Sequence, residues 1–360
     1  MKTQKNIFLL IAFLAFLLTS CNNDDTPTPA PPASEPNIQK YVTVTRDAGS
    51  EAYSFKFTKQ GKWDLYKGKT IGEIDMSAPA GSSSGNELTI NGLDSTQRYF
   101  FKLKLDDVSQ AYISEVQIAV HGQPNMRDLG GIVNKDGKSV VWGKVYRSGE
   151  LGKLTDSDVK YLESMDIDNI IDFRFEEEFT ESPDKLPEGV NYISLPVEDS
   201  LMHRSVMTKW LLSNNAEAFD TLLIYWNKLF VTKFQNEYKE YFNILEEGKT
   251  TLFHCTAGKD RAGLAAASFL YALDVDEETI MANYLKSNDY LKELNQQTVD
   301  YVNSMGLNGE LLWPVLLVKE EYLSAAINTI DSEYGGMDNY LKNILDVDVD
   351  KLKELYLEGQ

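Results

Sequence analysis

The stretch His254-Cys255-Thr256-Ala257-Gly258-Lys259-Asp260-Arg261-Ala262-Gly263 decides how the C-terminal part of this chain folds. Before it, Thr250-Thr251-Leu252-Phe253 reads as a short buried strand; after it, residues 264–273 read as an apolar helix. A strand–loop–helix turn of this kind aims the loop N–H groups and the helix N-terminus at one spot, and that spot favours an anion. A thiol at a helix N-terminus beside a cation titrates at roughly 3.5–7.5 instead of about 8.5. Cys255 is therefore the expected nucleophile. Arg261 offers a planar fork that can grip two phosphate oxygens in the transition state. Thr256, Ala257, Gly258, Lys259, Asp260 and Arg261 together form the expected phosphate-binding loop. The alternative is an ordinary buried Cys followed by an ordinary helix Arg. By composition, His, Gly, Arg and Gly at these four spacings around a given Cys occur together on the order of once in a hundred thousand. The chain holds only two Cys residues.

Outward from the loop, strand-like runs alternate with helical ones. Residues 144–147, 170–173, 191–195 and 251–254 are rich in β-branched and aromatic residues, 156–165 has helical spacing, and from Ala262 the chain is mostly helical. The expectation over 121–360 is an α/β fold with a central mixed or parallel sheet flanked by helices, its site beyond the C-terminal strand ends. Arg147, Asp172 and Cys255 all fall near such ends.

Residues 38–120 read differently. Short runs at 41–45, 52–59, 62–67, 87–90, 98–105 and 113–120 are punctuated by Gly, Asn, Asp and Ser. Tyr53, Phe55 and Phe57 alternate with polar residues at the period of a half-buried strand. Residues 93–99, ending in Tyr99, resemble the tyrosine corner of fibronectin type III and immunoglobulin-like sandwiches. A small all-β sandwich is expected, either a spacer or a module that positions substrate or binds carbohydrate.

At the N-terminus, Lys2 and Lys5 precede twelve apolar residues, 7–18, a run too short to span a bilayer and suited to a signal peptide over 1–20. Leu18-Thr19-Ser20-Cys21 resembles a bacterial lipoprotein box, which implies lipidation of Cys21 and a membrane anchor on the cell envelope. The Pro-rich segment 21–37 reads as a semi-stiff tether. With Cys21 lipidated, Cys255 is a lone thiol without a disulfide partner.

The chain has 360 residues, 42% of them hydrophobic, with 55 acidic and 35 basic residues and a formal net charge of −20. So acidic a chain is a poor nucleic-acid partner, and its anion site must be locally basic. The three His residues are spread far apart, so no metal site and no cofactor are expected.

These residues resemble a family. The segment 254–263 looks like the phosphate loop of protein tyrosine phosphatases, closest to the bacterial secreted branch acting on phosphotyrosine and phosphoinositides. Asn125-Met126-Arg127-Asp128-Leu129-Gly130-Gly131, Tyr146-Arg147-Ser148-Gly149-Glu150-Leu151, the segment 171–174 with Glu178 and Pro183, and the segment 334–341 resemble further motifs of that branch, in the same order. The resemblance covers roughly 124–356. It implies a metal-independent phosphomonoester hydrolase working through a cysteinyl-phosphate, on a phosphorylated protein or on a phosphoinositide or inositol phosphate. Lys259, a second cation in the loop, would suit the polyanionic substrates.

Two carboxylates compete as proton donor to the leaving oxygen. Asp260 lies within the loop, where the resemblance places a candidate acid. Asp199 follows an apolar strand and a Pro, as in dual-specificity phosphatases, though its local setting also suits a helix N-cap. The apolar helical residues of 201–230 read as core or as a lid, with His203, Arg204 and Lys209 available to phosphate at its start. Ala262 departs from the family, which usually has Thr or Ser there. The missing hydroxyl implies slow hydrolysis of the phosphoenzyme, or, in the extreme, a phosphate-binding lipoprotein or adhesin with an impaired loop.

Overall fold

The computed structural model describes residues 37–212 and 216–358. The expected signal peptide, Cys21 and nearly all of the expected tether lie outside the described residues. The N-terminal strands are β1 (Val42–Thr45), β2 (Tyr53–Phe57), β3 (Trp63–Gly68), β4 (Gly81–Ser83), β5 (Glu87–Ile90), β6 (Phe100–Leu105) and β7 (Ser109–Ile113). They form two antiparallel sheets, β1-β2-β5 and β4-β3-β6-β7. The alternation along Tyr53, Phe55 and Phe57 buries all three against Trp63, Phe101 and Leu103 of the facing sheet. Phe55 meets Phe101 edge-on at 4.9 Å and Phe57 stacks on Trp63 at 4.8 Å. The Tyr99 hydroxyl accepts from the Asp94 N–H at 3.4 Å.

The expected strand over 113–120 ends at Ile113. Ile118 and Val120 are buried by packing instead of by a ladder, and Gln117 makes only an isolated bridge to Arg127. Gly81–Ser83 and Ser109–Ile113 were not anticipated, because their small and polar residues read as turns.

A separate five-stranded sheet holds β8 (Arg127–Asp128), β10 (Val145–Ser148), β11 (Asn169–Asp172), β12 (Asn191–Ser194) and β13 (Thr251–His254) in the order β12-β11-β13-β10-β8. Four strands run parallel and β8 runs antiparallel on the edge. A two-stranded ribbon pairs β9 (Ser139–Val140) with β14 (Leu357–Glu358). Helices α1 (Asp156–Glu163), α2 (Glu176–Glu181), α3 (Arg204–Leu212), α4 (Ala216–Thr232), α5 (Gln235–Leu245), α6 (Arg261–Ala272) and α7 (Glu277–Tyr290) are joined by others toward the C-terminus. This is the mixed α/β architecture the alternation implied. Helix α6 is buried on nearly every side, and its run of Ala lets it lie close under the sheet. Register aligns Ser148, His254, Asp172 and Ser194 in one row at the C-terminal edge, with Cys255 next after the central strand.

Candidate active site

Between β13 and α6 the chain turns tightly around Gly258, which sits at φ +72°; a side chain there would meet the Ser148 carbonyl at 2.4 Å. Cys255 is buried, and it is the free cysteine of the described residues.

Each carbonyl of the loop is taken from outside. Thr256 O accepts from the Glu150 N–H at 3.0 Å and Ala257 O from Asn125 Nδ2 at 2.8 Å. Gly258 O accepts from Arg147 Nε at 2.8 Å and Lys259 O from Arg147 Nη2 at 3.1 Å. Asp260 O starts α6 by accepting from the Leu264 N–H at 2.9 Å. Among the described residues, the N–H groups of Thr256 to Asp260 donate to no protein acceptor. With the carbonyls taken up elsewhere, these unpaired donors are available to an anion at the loop.

Arg261 reaches the same mouth and is clamped in its fork. Glu178, on α2, accepts from Nη1 at 2.6 Å and from Nη2 at 2.7 Å; Phe173 O and the Thr256 hydroxyl take two more of its protons at 3.2 and 3.1 Å. Burial alone pushes the Arg261 guanidinium down, but Glu178 more than reverses it, leaving it well above the ordinary arginine value. Burial likewise pushes Glu178 up, and Arg261 overrides it, so the carboxyl stays below its ordinary value. Arg147 and Arg127 are fully buried and meet only neutral acceptors among the described residues. Burial pushes Arg147 down to about 10, and Cys255 opposes that shift, so Arg147 is still a cation at neutral pH beside Cys255.

His254, behind Cys255, is buried between two carboxylates, 3.3 Å from Asp184 Oδ2 and 3.7 Å from Asp172 Oδ1. Asp172, Asp184 and His254 are close enough to share a metal ion. Arg174 already fills that role: it takes both Asp172 oxygens at 2.8 to 3.0 Å and also pairs with Asp184. A second cation there would meet its charge.

The two candidate acids separate clearly. Asp199 caps the short helix Ser200–Met202, accepting from the Leu201 N–H at 3.0 Å, with Lys233 3.5 Å from its other oxygen. Asp260 precedes α6 without capping it. One of its oxygens lies 2.9 Å from Lys259 Nζ, while Oδ1 is buried without a hydrogen-bond partner among the described residues. Lys259 also donates to Leu317 O at 3.3 Å, which places the segment around Leu317 against the loop. His203 stacks on Phe175 at 5.1 Å and pairs with Glu177 and Glu198, so its ring is engaged with carboxylates. Ala262 is completely buried.

Asn125 and Glu178 belong to segments the sequence singles out only by resemblance, and Arg147 stands out in addition by its place near a strand end. Their tasks are invisible there, because each acts on residues more than 80 positions away.

The tyrosine phosphatase family matches residues 118–358 of the chain. A Cupriavidus necator protein, whose name assigns it provisionally to the tyrosine-protein phosphatases, is 33% identical over 235 residues, 65% of this chain and 86% of its own. The triple specificity protein phosphatase PtpB of Mycobacterium tuberculosis is 28% identical over 236 residues, 56% of this chain and 85% of its own. A tyrosine-protein phosphatase of Nostoc commune is 28% identical over 211 residues, 55% of this chain and 68% of its own.

Proposed function

The chain belongs to the tyrosine phosphatase family, and from that premise we propose that it hydrolyses phosphotyrosine through a phosphorylated Cys255. The observation that carries this reading is the loop whose carbonyls are all taken up by partners, leaving its N–H groups unpaired beside Cys255, with the Arg261 guanidinium held next to them by Glu178. The phosphate's equatorial oxygens accept from these donors. Cys255 Sγ attacks phosphorus in line, the bond to the tyrosine oxygen breaks, and Asp260 gives that oxygen its proton. Asp260 then takes a proton from water, which attacks phosphorus and releases Sγ as thiolate. Lys259 moving onto substrate phosphate would free Asp260 to carry the proton, and Asp199 is already spent on its helix cap.

The second substrate reading, a phosphoinositide or inositol phosphate, is favoured by Lys259, an ammonium in the loop beside the anion site. Its relative PtpB is named for triple specificity. The test is a panel of phosphotyrosine, phosphoserine and phosphothreonine peptides with phosphoinositides, each run with wild type and Cys255→Ser. The reading expects phosphotyrosine to lead in kcat/KM, and loss of all turnover in the variant.

The lipoprotein box at Leu18-Thr19-Ser20-Cys21 supports a lipid-anchored enzyme of the cell envelope, displayed through the Pro-rich tether and the sandwich. Metabolic labelling with a fatty acid, abolished by Cys21→Ser, tests it.

A further inference from the structure

Strands β8 and β10 pair so that Tyr146 lies opposite Asp128 and Arg147 opposite Arg127. Neighbouring residues of a strand point to opposite faces. The two arginines share one face. Arg147 holds Gly258 O and Lys259 O, Arg127 donates to Asn125, which holds Ala257 O, and both reach Ser287 Oγ, at 3.4 and 3.1 Å. The other face carries Tyr146 and Asp128, and both are met there by one side chain from the N-terminal sandwich. Arg98 Nη1 lies 2.8 Å from Asp128 Oδ2 and donates to the Tyr146 hydroxyl at 2.6 Å.

Arg98 and Asp128 are both completely buried. Among the described residues, Arg98 is the ion-pair partner of Asp128, and it lies outside the stretch that matches the family. Asp128 in turn accepts from the Gly130 N–H at 2.7 Å and the Gly143 N–H at 2.9 Å, fixing the turns beside both strands. On the sandwich side Arg98 Nη2 donates to Glu115 O at 3.1 Å, the Glu115 carboxylate lies 3.4 Å from Arg98 Nε and accepts from the Tyr161 hydroxyl, and that hydroxyl is 3.0 Å from the Tyr53 hydroxyl. Removing Arg98 leaves a buried carboxylate unpaired, which is strongly unfavourable. The strand pair can relieve that by turning Asp128 toward water. A shift of one residue would exchange the faces and carry Arg147 away from the loop.

We propose that the sandwich acts on the site through one side chain: Arg98 is a positioning residue, holding β8 and β10 in the register that points Arg127 and Arg147 at the phosphate loop. The inference needs the loop to bind phosphate and is independent of which phosphomonoester is the substrate.

The experiment uses the full chain with p-nitrophenyl phosphate as substrate and orthovanadate as loop ligand. Arg98→Met, still folded by circular dichroism, should lose about tenfold in vanadate affinity and in kcat/KM. Arg98→Lys, which keeps the charge and loses the fork, should fall between it and wild type. Leu65→Ala, which loosens the sandwich core beside Leu103 and touches neither Asp128 nor Tyr146, should lower Tm and leave vanadate affinity unchanged. If Arg98→Met does not fold, Arg98→Lys carries the test. A folded Arg98 variant with wild-type vanadate affinity would overturn the proposal, as would Leu65→Ala weakening vanadate as much as the Arg98 variants do. Wild type that is not inhibited by vanadate would instead refute the cysteinyl-phosphate reading.

Discussion

Glu178 and Arg261 face each other fork to fork, Oε2 accepting from Nη1 at 2.6 Å and Oε1 from Nη2 at 2.7 Å. They come from different elements, α2 and α6, so this pair fixes the mouth of the loop to the sheet edge. Bidentate pairing sets the plane of the guanidinium as well as its place. Glu178→Gln keeps the shape and removes the charge. It should lower kcat/KM by roughly 10²-fold, since truncating one side of a buried charge pair costs about 2–5 kcal/mol. Steady-state kinetics on p-nitrophenyl phosphate measures this, and an unchanged kcat/KM would show that Arg261 is held well enough without Glu178.

The same pair has a pH signature. The Glu178 carboxyl titrates below its ordinary value of 4.5 in the fold. The unfolded chain therefore binds the proton first as pH falls. The stabilisation is complete above that ordinary value and is lost as pH drops through the lower folded one. Urea unfolding at a series of acidic pH values should show wild type and Glu178→Gln converging in stability. A gap that persists undiminished would contradict the assignment.

Asp260 and Asp199 separate on leaving groups. Asp260→Asn should lose about 10²–10⁴-fold on phenyl phosphate and much less on p-nitrophenyl phosphate, whose leaving oxygen needs little help from an acid. Asp199→Asn should keep both rates, because Asn caps a helix about as well as Asp does; Asp199→Ala should cost about 1 kcal/mol of stability instead. The opposite pattern would make Asp199 the acid.

Arg147→Lys tests the outward hold on the loop. A lysine is a point charge and cannot serve Gly258 O and Lys259 O with one rigid fork. Vanadate affinity should fall by about tenfold or more, each lost buried bond to a charged group being worth about 1.5–3 kcal/mol. Retained affinity would mean the loop keeps its shape unaided.

Ala262 is completely buried, so a hydroxyl can be introduced there only in a small residue. Ala262→Ser should raise the steady-state rate by speeding hydrolysis of phospho-Cys255, and the pre-steady-state burst should shrink as that second step catches up with the first. Stopped-flow release of p-nitrophenol separates the two steps. No burst in wild type and no gain in the variant would remove Ala262 from the account.

The loop itself was legible because its signal is local. Gly258 needs a positive φ, the apolar run of β13 precedes it, and the small residues of α6 follow. Asp199 as a cap was legible for the same reason. What the chain conceals is pairing across distance. Nothing near Glu178 points to Arg261, and nothing near Arg98 points to Asp128, since a charged side chain reads as solvent-exposed until its partner is known. The strand expected over 113–120 failed because Ile118 and Val120 alternate like a strand while being buried by the catalytic core instead of by a neighbouring strand.

The central claim is that phosphate passes through Cys255. Rapid acid quench of the wild-type enzyme turning over a phosphotyrosine peptide, followed by mass analysis of its proteolytic fragments, should find phosphate on the fragment carrying Cys255 and none in Cys255→Ser. Phosphate on another residue, or full turnover by Cys255→Ser, would contradict it.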